Sequence, residues 1–221
     1  MTHAANLGGV AGELLLATRN RGKVVEFRDL LAPLGVRVLD LRDAGIPPDP
    51  AEDAVEDGET FEANALAKAR YFAARSAGRP VLADDSGLCV AALGGAPGVR
   101  SRRYAGVDGS EQDVSRANSA RLLNALAEVS DRRAEFVCAL AYVDAGRELV
   151  EVGRTAGQIL RSARGTHGFG YDPLFWSEDL GRSFGEATEP EKARVSHRGR
   201  AVAGLLARLH AASTPGRSGG R

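Results

Sequence analysis

Short apolar runs alternate with segments of helical periodicity along this chain. The first run, Glu13 to Ala17, ends in a polar turn, and apolar residues between Val24 and Leu31 then recur at helical spacing. A second run follows from Val36 to Leu41. Because such short runs suit buried strands, and a helical apolar face must pack on something, the pattern predicts a strand, a turn, a helix and a second strand. This order is typical of α/β proteins.

The same patterns predict the later elements. Helices are expected from Thr60 to Gly78, over 111–128 and over 191–209, and strands over 80–83, 136–143 and 149–155. A Pro- and Asp-rich stretch over 43–59 predicts a long loop, and loops of this length are often functional. A second loop is expected over 177–188.

Charge and cysteine content exclude several classes of protein. The 29 basic and 29 acidic residues give a net charge of zero, so no overall basic field favours nucleic acid or an anionic membrane. No apolar run approaches the roughly 20 residues of a membrane-spanning helix, and the first residues lack the pattern of a secretory signal. Cys89 and Cys138 are too few for a disulfide framework. We therefore expect a cytoplasmic protein with no membrane or nucleic-acid partner.

Lysine is rare in this chain. It occurs only at Lys23, Lys68 and Lys192, and the rest of the 29 basic residues are arginine. An ammonium group is a compact point charge, which a planar guanidinium does not replace at every position. The lysines are therefore candidates for functional positions, although the base composition of a genome can produce the same bias.

The first candidate site is the turn after the first apolar run. Its residues are Thr18, Arg19, Asn20, Arg21, Gly22 and Lys23. A strand that leads through a polar turn into a helix presents free backbone N–H groups and the positive end of the helix dipole, so the pattern predicts phosphate binding. It is not a P-loop, because Ala17 and Val24 stand where that motif needs Gly and Ser or Thr. A helix that is merely capped by Asn20 is the alternative.

Two adjacent acids follow the strand over 80–83. Asp84 and Asp85 stand at its predicted end, before Ser86 and Gly87, and neighbouring residues of a strand point to opposite sides. The acidic loop offers further carboxylates, at Glu52, Asp53, Glu56, Asp57 and Glu59. Carboxylates from two segments, together with substrate phosphates, suit Mg²⁺, and one of them can take a proton from an attacking water. The alternative is a solvated Asp-Ser-Gly turn.

A third segment, over 168–173, combines glycines, two aromatic residues and an acid. Gly168 and Gly170 allow a ligand to approach the backbone closely, and Phe169 or Tyr171 can stack on a base. A plain turn with aromatic residues in the core is the alternative.

A fourth group lies near the start of the last predicted helix. Lys192, His197 and Arg198 are clustered hydrogen-bond donors, which suit an anion or a carbonyl oxygen. A lone His on a helix is often structural, and no second His at ligand spacing supports zinc.

Together these segments resemble the inosine/xanthosine triphosphate pyrophosphatase family, which hydrolyses noncanonical purine nucleoside triphosphates. The matching stretches, in family order, are LLLATRNRGKVVEF, ETFEANALAKAR, VLADDSGLCVAALGGAPGVRSRRYAG, GFGYDPLF and EKARVSHRGRA. One such motif is weak evidence, but five in order are specific. Arg19 is a departure, because the family often has glycine there and a bulky side chain can crowd a ligand.

The resemblance implies an elongated α/β fold with a mixed sheet and a central nucleotide-binding cleft between two lobes. Residues 13–211 would form this single pyrophosphatase domain, with 1–12 as an N-terminal extension and 212–221 as a disordered tail. The implied reaction converts ITP, dITP or XTP to the nucleoside monophosphate and pyrophosphate, which cleanses the nucleotide pool. The implied enzyme is a homodimer that uses Mg²⁺.

The resemblance also assigns roles to matching positions. Asp85 would be the general base, Glu56 and Asp85 would hold Mg²⁺, and Asp84 would assist. The residues that would bind the substrate are Thr18, Arg19, Asn20, Arg21, Gly22, Lys23, Ser86, Phe169, Gly170, Tyr171, Asp172, Lys192, His197 and Arg198.

Hydrogen-bond chemistry agrees with this substrate class. Hypoxanthine and xanthine present the acceptor O6 where adenine presents an amino group, so a donor such as Arg198 or a backbone N–H favours them. Two rival classes stay open: a nucleotide-binding protein without catalysis, and a phosphatase that cleaves another bond or acts on modified pyrimidines. Nucleic-acid binding through the basic run over 100–103 is a third, for which a solvated or dimer-contact segment is the simpler explanation.

Overall fold

Seven strands form one mixed sheet in the computed structural model, which describes residues 12–213. The strands are β1 (Glu13–Leu16), β2 (Arg37–Asp40), β3 (Val81–Val90), β4 (Arg133–Val143), β5 (Glu148–Ile159), β6 (Phe175–Ser177) and β7 (Arg182–Ser183). The helices are α1 (Arg21–Leu31), α2 (Glu52–Val55), α3 (Phe61–Ala73), α4 (Glu111–Ala125), α5 (Glu189–Val195) and α6 (His197–Ser213). The predicted α/β class with a mixed sheet is confirmed.

The strands lie in the order β2-β1-β3-β4-β5-β6-β7. Strand β1 is parallel to β2 and β3, whereas the remaining pairs are antiparallel. The register between β1 and β3 stops at Leu16 and Leu82, but β3 continues beside β4 as far as Val90. After Ala17, whose N–H donates to the Leu82 carbonyl at 2.8 Å, the chain leaves the sheet for the turn before α1. This turn therefore adjoins the middle of β3.

Side chains of β3 alternate between the two faces of the sheet. Leu82 packs in an apolar cluster with α1 and α6, while Val81 and Ala83 pack on the opposite face with α3. By the same alternation Asp84 lies on the α1 and α6 face, and Asp85 lies on the α3 face. The two adjacent acids thus point into different surroundings.

The structure differs from the sequence prediction at this acidic motif. The prediction that the strand ends at the two acids is wrong, because β3 runs through Asp84, Asp85 and Ser86 to Val90. Asp, Ser and Gly favour turns in isolation. Here, however, β4 supplies a paired neighbour at every position of β3. It is the neighbouring strand β1 that ends beside the acids.

The last predicted helix is also different. The prediction of a single helix over 191–209 is wrong, because Ser196 has extended backbone angles and separates α5 from α6. The Ser196 hydroxyl accepts a hydrogen bond of 3.1 Å from the Gly199 N–H, which caps α6. The break places His197 and Arg198 in the first turn of α6.

Two predicted loops contain regular structure. The one-turn helix α2 lies within the loop over 43–59, and β7 lies within the loop over 177–188. Both elements are too short to produce a recognisable periodicity.

The first and last described residues do not coincide with the predicted domain limits. The predicted N-terminal extension is described only at residue 12, and α6 ends at Ser213. Residues 1–11 and 214–221, which hold most of the predicted extension and tail, lie outside the described residues. Within 12–213, no helix is both long and apolar enough to cross a membrane.

Gly153 of β5 lies where α6 crosses the sheet. A Cβ atom here would collide with the His197 carbonyl oxygen and the Ala201 nitrogen. Because both are backbone atoms of α6, the helix itself would have to move, and we expect Gly153→Ala to lower the free energy of unfolding by about 3 kcal/mol. Urea denaturation followed by circular dichroism measures this loss. Gly146→Ala, at a position with open space, is the control and should change it by less than about 0.5 kcal/mol; equal losses would contradict the packing argument.

Candidate active site

The three lysines of the chain lie in one connected cluster of charged side chains. Lys23 Nζ lies 2.9 Å from Asp84 Oδ2. Lys68 donates to the Glu56 carboxylate and to the main-chain oxygen of Asp84. Lys192 lies between Glu26 and Asp172. The four sequence segments singled out above are therefore brought together, with α3 and the acidic loop as a further side.

The turn before α1 is held by local hydrogen bonds and leads directly into the helix. Its side chains bond locally: the Asn20 side chain accepts the Lys23 N–H at 2.9 Å and caps α1, and Thr18 Oγ1 accepts the Asn20 N–H at 3.2 Å. Arg21 is exposed as the first residue of α1. A Cβ atom on Gly22 would collide with the Phe169 ring, so a small residue is required there. The turn thus places the positive start of α1 next to Lys23.

Asp84 is fully buried and surrounded by cations. Besides Lys23, Arg198 Nε lies 3.7 Å from Asp84 Oδ2, and the Ser86 hydroxyl donates to the same oxygen at 2.9 Å. Burial by itself raises the pKa of Asp84, but the nearby Lys23 and Arg198 hold that pKa well below its ordinary value. Asp84 is therefore a permanent anion that fixes cations from two separate helices.

Asp85 has the opposite surroundings. Among the described residues no cation lies within ion-pair distance of its carboxylate, and its side-chain hydrogen bond comes from Asn64 Nδ2 at 2.9 Å. Burial raises the pKa of Asp85 above its ordinary value. The charge of Lys23, the Asn64 hydrogen bond and the charge of Lys68 oppose this rise without cancelling it, and the negative charge of Glu56 adds to it. A mostly buried carboxylate without a paired cation is suited to accept a proton or to bind a metal ion.

The oxygen donors at this point fit a magnesium ion. Asp85 and Glu56 supply hard carboxylate oxygens from two segments. In the described part of the chain, no group of three or more His, Cys, Asp and Glu side chains forms a ready metal cage. Mg²⁺ commonly binds through one or two carboxylates together with phosphates and water, so two carboxylates near the turn predicted to bind phosphate match its preference.

Lys68 and Asn64 were not predicted as site residues. Burial lowers the pKa of Lys68, but the negative charges of Glu56 and Asp84 raise it by more than burial lowers it. The pKa therefore lies above its ordinary value, and the ammonium stays charged. The scarcity of lysine was the one signal that pointed to Lys68. Asn64 lies on the face of α3 that packs against β3, and periodicity alone gives no reason for a buried amide there.

A second buried network lies between α1, α5 and α6. Glu26 accepts hydrogen bonds from Lys192 and, at 2.8 Å, from Arg198, while Lys192 also bonds Asp172 at 2.6 Å. Arg198 Nη2 donates to the Ser86 hydroxyl at 2.8 Å and so joins this network to Asp84. Burial raises the pKa of Glu26, yet Arg198 and Lys192 bring it below its ordinary value. The periodicity of α1 did not single out Glu26, because a buried acid on an apolar face has no sequence signature.

The two aromatic residues of the segment over 168–173 have different positions. The Phe169 ring lies 5.2 Å from Lys192 Nζ and 5.1 Å from the Arg198 guanidinium carbon. The Tyr171 ring is buried in the apolar cluster beneath, and its hydroxyl donates to the Ser101 carbonyl at 2.9 Å. Gly170 has a positive φ of 62° and accepts a hydrogen bond from Ser115. Of these two residues, Phe169 is therefore the one whose ring lies beside the cations.

The Arg19 side chain turns towards the acidic loop. Its Nε and Nη2 atoms each donate to Glu52 at 2.6 Å, and Nη2 also donates to the Pro47 carbonyl at 2.8 Å. The hydrogen bond from Arg19 lowers the pKa of Glu52 and keeps it ionised. The guanidinium is therefore occupied by the loop.

His197 is buried and neutral. Its ring stacks on Phe136, with ring centroids 4.8 Å and ring planes 11° apart. Its Nδ1 atom has no hydrogen-bond partner among the described residues. Burial, and then the charges of Arg198 and Lys192, hold the pKa of His197 well below 6.5.

The fold and this cluster define a mixed α/β protein whose charged residues gather where β1 ends beside β3. A model of the Ham1 family matches residues 14–208, so the chain belongs to the Ham1 family. A dITP/XTP pyrophosphatase of Ralstonia nicotianae is 47% identical over 199 residues, which cover 89% of this chain and 96% of that protein. Another, of Syntrophobacter fumaroxidans, is 50% identical over 190 residues, covering 86% of this chain and 78% of that protein.

Solved structures agree with this membership. A HAM1 protein from Coxiella burnetii superposes with a TM-score of 0.76 at 38% identity, covering 91% of this chain and all of that one. The resemblance that the five sequence motifs indicated is confirmed.

The neutral state of His197 predicts a dependence of stability on pH. The unfolded chain binds a proton at this residue below about pH 6.5, whereas the folded protein does not. The contribution of neutral His197 to the free energy of unfolding is therefore complete above about pH 6.5 and is lost as the pH falls. We expect the free energy of unfolding to fall by about 1.4 kcal/mol per unit between about pH 6 and 5, measured by urea titration. His197→Phe keeps a ring against Phe136 and cannot be protonated, so it should reduce this slope; an unchanged slope would contradict the assignment.

Proposed function

We propose that this protein hydrolyses noncanonical purine nucleoside triphosphates to the nucleoside monophosphate and pyrophosphate. The observation that carries this proposal is the position of Asp85: a mostly buried carboxylate with no paired cation, beside Lys23 and the start of α1. A base next to an anion site is what hydrolysis of a phosphoric anhydride requires. The names of the relatives, dITP/XTP pyrophosphatases, support the same reaction and substrate class.

The triphosphate would lie at the turn before α1. The Thr18 and Asn20 N–H groups already donate within the turn, so the backbone N–H groups of Arg19, Arg21 and Gly22 and the ammonium of Lys23 would bind its oxygens. The helix dipole favours the same charge. The Lys23 ammonium already pairs with the Asp84 carboxylate and would interact with both this carboxylate and the triphosphate.

Asp85 would act as the general base. Its hydrogen bond from Asn64 leaves the other carboxylate oxygen to receive a proton from water. The water oxygen then bonds to the α-phosphorus. The bond between this phosphorus and the oxygen that bridges it to the β-phosphorus breaks, and pyrophosphate leaves with the electron pair of that bond. The cations Lys23 and Lys68 favour the negative charge that develops.

Asp85 and Glu56 would also hold Mg²⁺. The bound ion would neutralise charge on the phosphate oxygens. Lys68, which bonds Glu56 and the Asp84 carbonyl, would keep the Glu56 carboxylate directed to this point.

The purine base of the nucleotide would lie beside Phe169, Lys192 and Arg198. A base stacked on Phe169 would be near donors that match an O6 acceptor. The buried partners Glu26 and Asp172 fix the orientation of these donors, which favours discrimination between a carbonyl and an amino group. Ser86, which bonds Arg198, would add a hydroxyl group to these surroundings, whereas the His197 ring is buried against Phe136.

Three further features belong to this proposal: residues 13–211 as one two-lobed domain, assembly as a homodimer, and action on the nucleotide pool of the cytoplasm. The charge balance of the chain supports a small-molecule substrate and not a nucleic acid.

A nucleotide panel tests the proposed reaction. Purified protein with Mg²⁺ would be given ITP, XTP, dITP, ATP, GTP and dUTP, and the products separated by ion-exchange chromatography. Monophosphate and pyrophosphate from ITP and XTP, with ATP and GTP largely unchanged, are the expected result. Release of diphosphate and phosphate, or ITP binding without turnover, would favour one of the rival classes instead.

The role of Asp85 gives a specific prediction. Asp85→Asn keeps the shape of the side chain but cannot take a proton, so we expect kcat for ITP to fall by about 10³-fold while ITP binding persists. Single-turnover kinetics and equilibrium dialysis measure the two quantities. Asp29→Asn, an exposed position on α1, is the matched control and should keep normal turnover. An Asp85→Asn protein with turnover close to that of the wild type would exclude this residue as the base.

A further inference from the structure

The segment that carries Glu56 is held mainly by side chains of other elements. From α3, Tyr71 donates to Asp49, Lys68 donates to Glu56 and Asn64 bonds Gly58, and from the turn before α1, Arg19 bonds Glu52. Residues 47–51, which precede α2, are all exposed, and Glu56 follows the single turn of α2. An exposed loop of this kind loses considerable conformational entropy when it is held in one position. The contacts that hold it therefore decide where the Glu56 carboxylate lies.

Two of these contacts lie on either side of Glu56. On one side, Glu52 is held by the two hydrogen bonds from Arg19, each 2.6 Å long. On the other, the Asn64 side chain accepts the Gly58 N–H at 2.7 Å and donates to the Gly58 carbonyl at 3.2 Å. Asn64 also bonds Asp85, so the second contact ties the segment to the proposed base. The first contact ties it to the turn before α1.

The Arg19 contact is stronger than an ordinary surface ion pair. It is bidentate, and the side chains of Arg19 and Glu52 are only 32% and 18% exposed. The guanidinium also donates to the carbonyls of Ile46 and Pro47, so it fixes the backbone of the loop as well as one carboxylate. A lysine, with one point charge, could not make this set of bonds.

We propose that Arg19 is a positioning residue that couples the Thr18–Lys23 turn to the Glu56 segment. The guanidinium acts through Glu52 and does not touch the reacting atoms. An anion bound at the turn orders the backbone on one side of Arg19, and a divalent cation bound by Glu56 orders the loop on the other. Each ligand therefore strengthens the binding of the other, because such coupling is reciprocal. The inference rests on the proposed function and concerns how its two ligand sites are joined.

The test compares Arg19→Ala, Glu52→Ala and the double variant with the wild type. Hydrogen–deuterium exchange of residues 46–58, measured without nucleotide or metal, reports the attachment of the loop. We expect exchange to become about five-fold faster in Glu52→Ala and faster still in Arg19→Ala, which also loses the bonds to the Ile46 and Pro47 carbonyls. The double variant should exchange about as fast as Arg19→Ala, because the ion pair is already lost in either single variant. Arg70→Ala is the control: it breaks another bidentate pair, with Glu148, and leaves the loop contacts intact.

Turnover of ITP at increasing Mg²⁺ concentration reports the coupling. Glu52→Ala should raise the Mg²⁺ concentration for half-maximal turnover about five-fold while kcat at saturating Mg²⁺ stays within about two-fold. Arg19→Ala should raise that concentration at least as much, because it also removes the bonds to the Ile46 and Pro47 carbonyls. Arg19→Lys should have a smaller effect than Arg19→Ala, because a lysine keeps the charge but not the bidentate bond.

The outcomes are distinct. Unchanged exchange, or effects of the two single variants that add in the double variant, would overturn the attachment. Faster exchange with an unchanged Mg²⁺ requirement would reduce Arg19 to a structural role and overturn the coupling. A wild-type protein that exchanges slowly over residues 46–58 but does not hydrolyse ITP would refute the proposed function, and the coupling with it, while the attachment itself would stand.

Discussion

The buried charge of Asp84 is the constraint on which this structure depends. A carboxylate in the middle of a sheet is stable only when cations and hydrogen-bond donors surround it. Here Lys23 comes from α1, Arg198 from α6 and the Ser86 hydroxyl from the same strand. Both helices must therefore approach the same point of β3, and their approach forms one wall of the candidate site.

The same logic extends to the charges that follow. Arg198 and Lys192 need carboxylates of their own, and Glu26 bonds both of them while Asp172 bonds Lys192. Removing any one partner would leave a buried charge uncompensated, which is more costly than the loss of a surface ion pair. The network is thus a rigid unit that holds donors in fixed positions beside the Phe169 ring.

The alternation of a β-strand gives the neighbouring acids different chemistry. Asp84 faces cations and has a lowered pKa, whereas Asp85, one residue further on, faces Asn64 and has a raised pKa. One residue supports the fold and orders the cations, and the other keeps a carboxylate available. A turn at this position would have exposed both acids to water and removed the difference between them.

The described residues use arginine and lysine in different ways. Arginine forms bidentate pairs on the periphery, such as Arg19 with Glu52 and Arg70 with Glu148. The three lysines all lie in the charged cluster, and Arg198 is the one buried arginine among the described residues that shares it with them. The scarcity of lysine is the sequence feature that points to Lys68, which the structure places in this cluster.

The sequence by itself determined the α/β class, the four polar segments and the family, because short apolar runs, helical periodicity and five ordered motifs are local properties of the chain. It did not determine that β3 continues through its acids, that Ser196 divides the last helix, or that Glu26, Asn64 and Lys68 join the cluster. Those features depend on a strand partner, a cap and buried counter-charges contributed by residues far away in the sequence. Only the tertiary structure decides them, because the energy of a buried charge is set by what surrounds it in space and not by its neighbours along the chain.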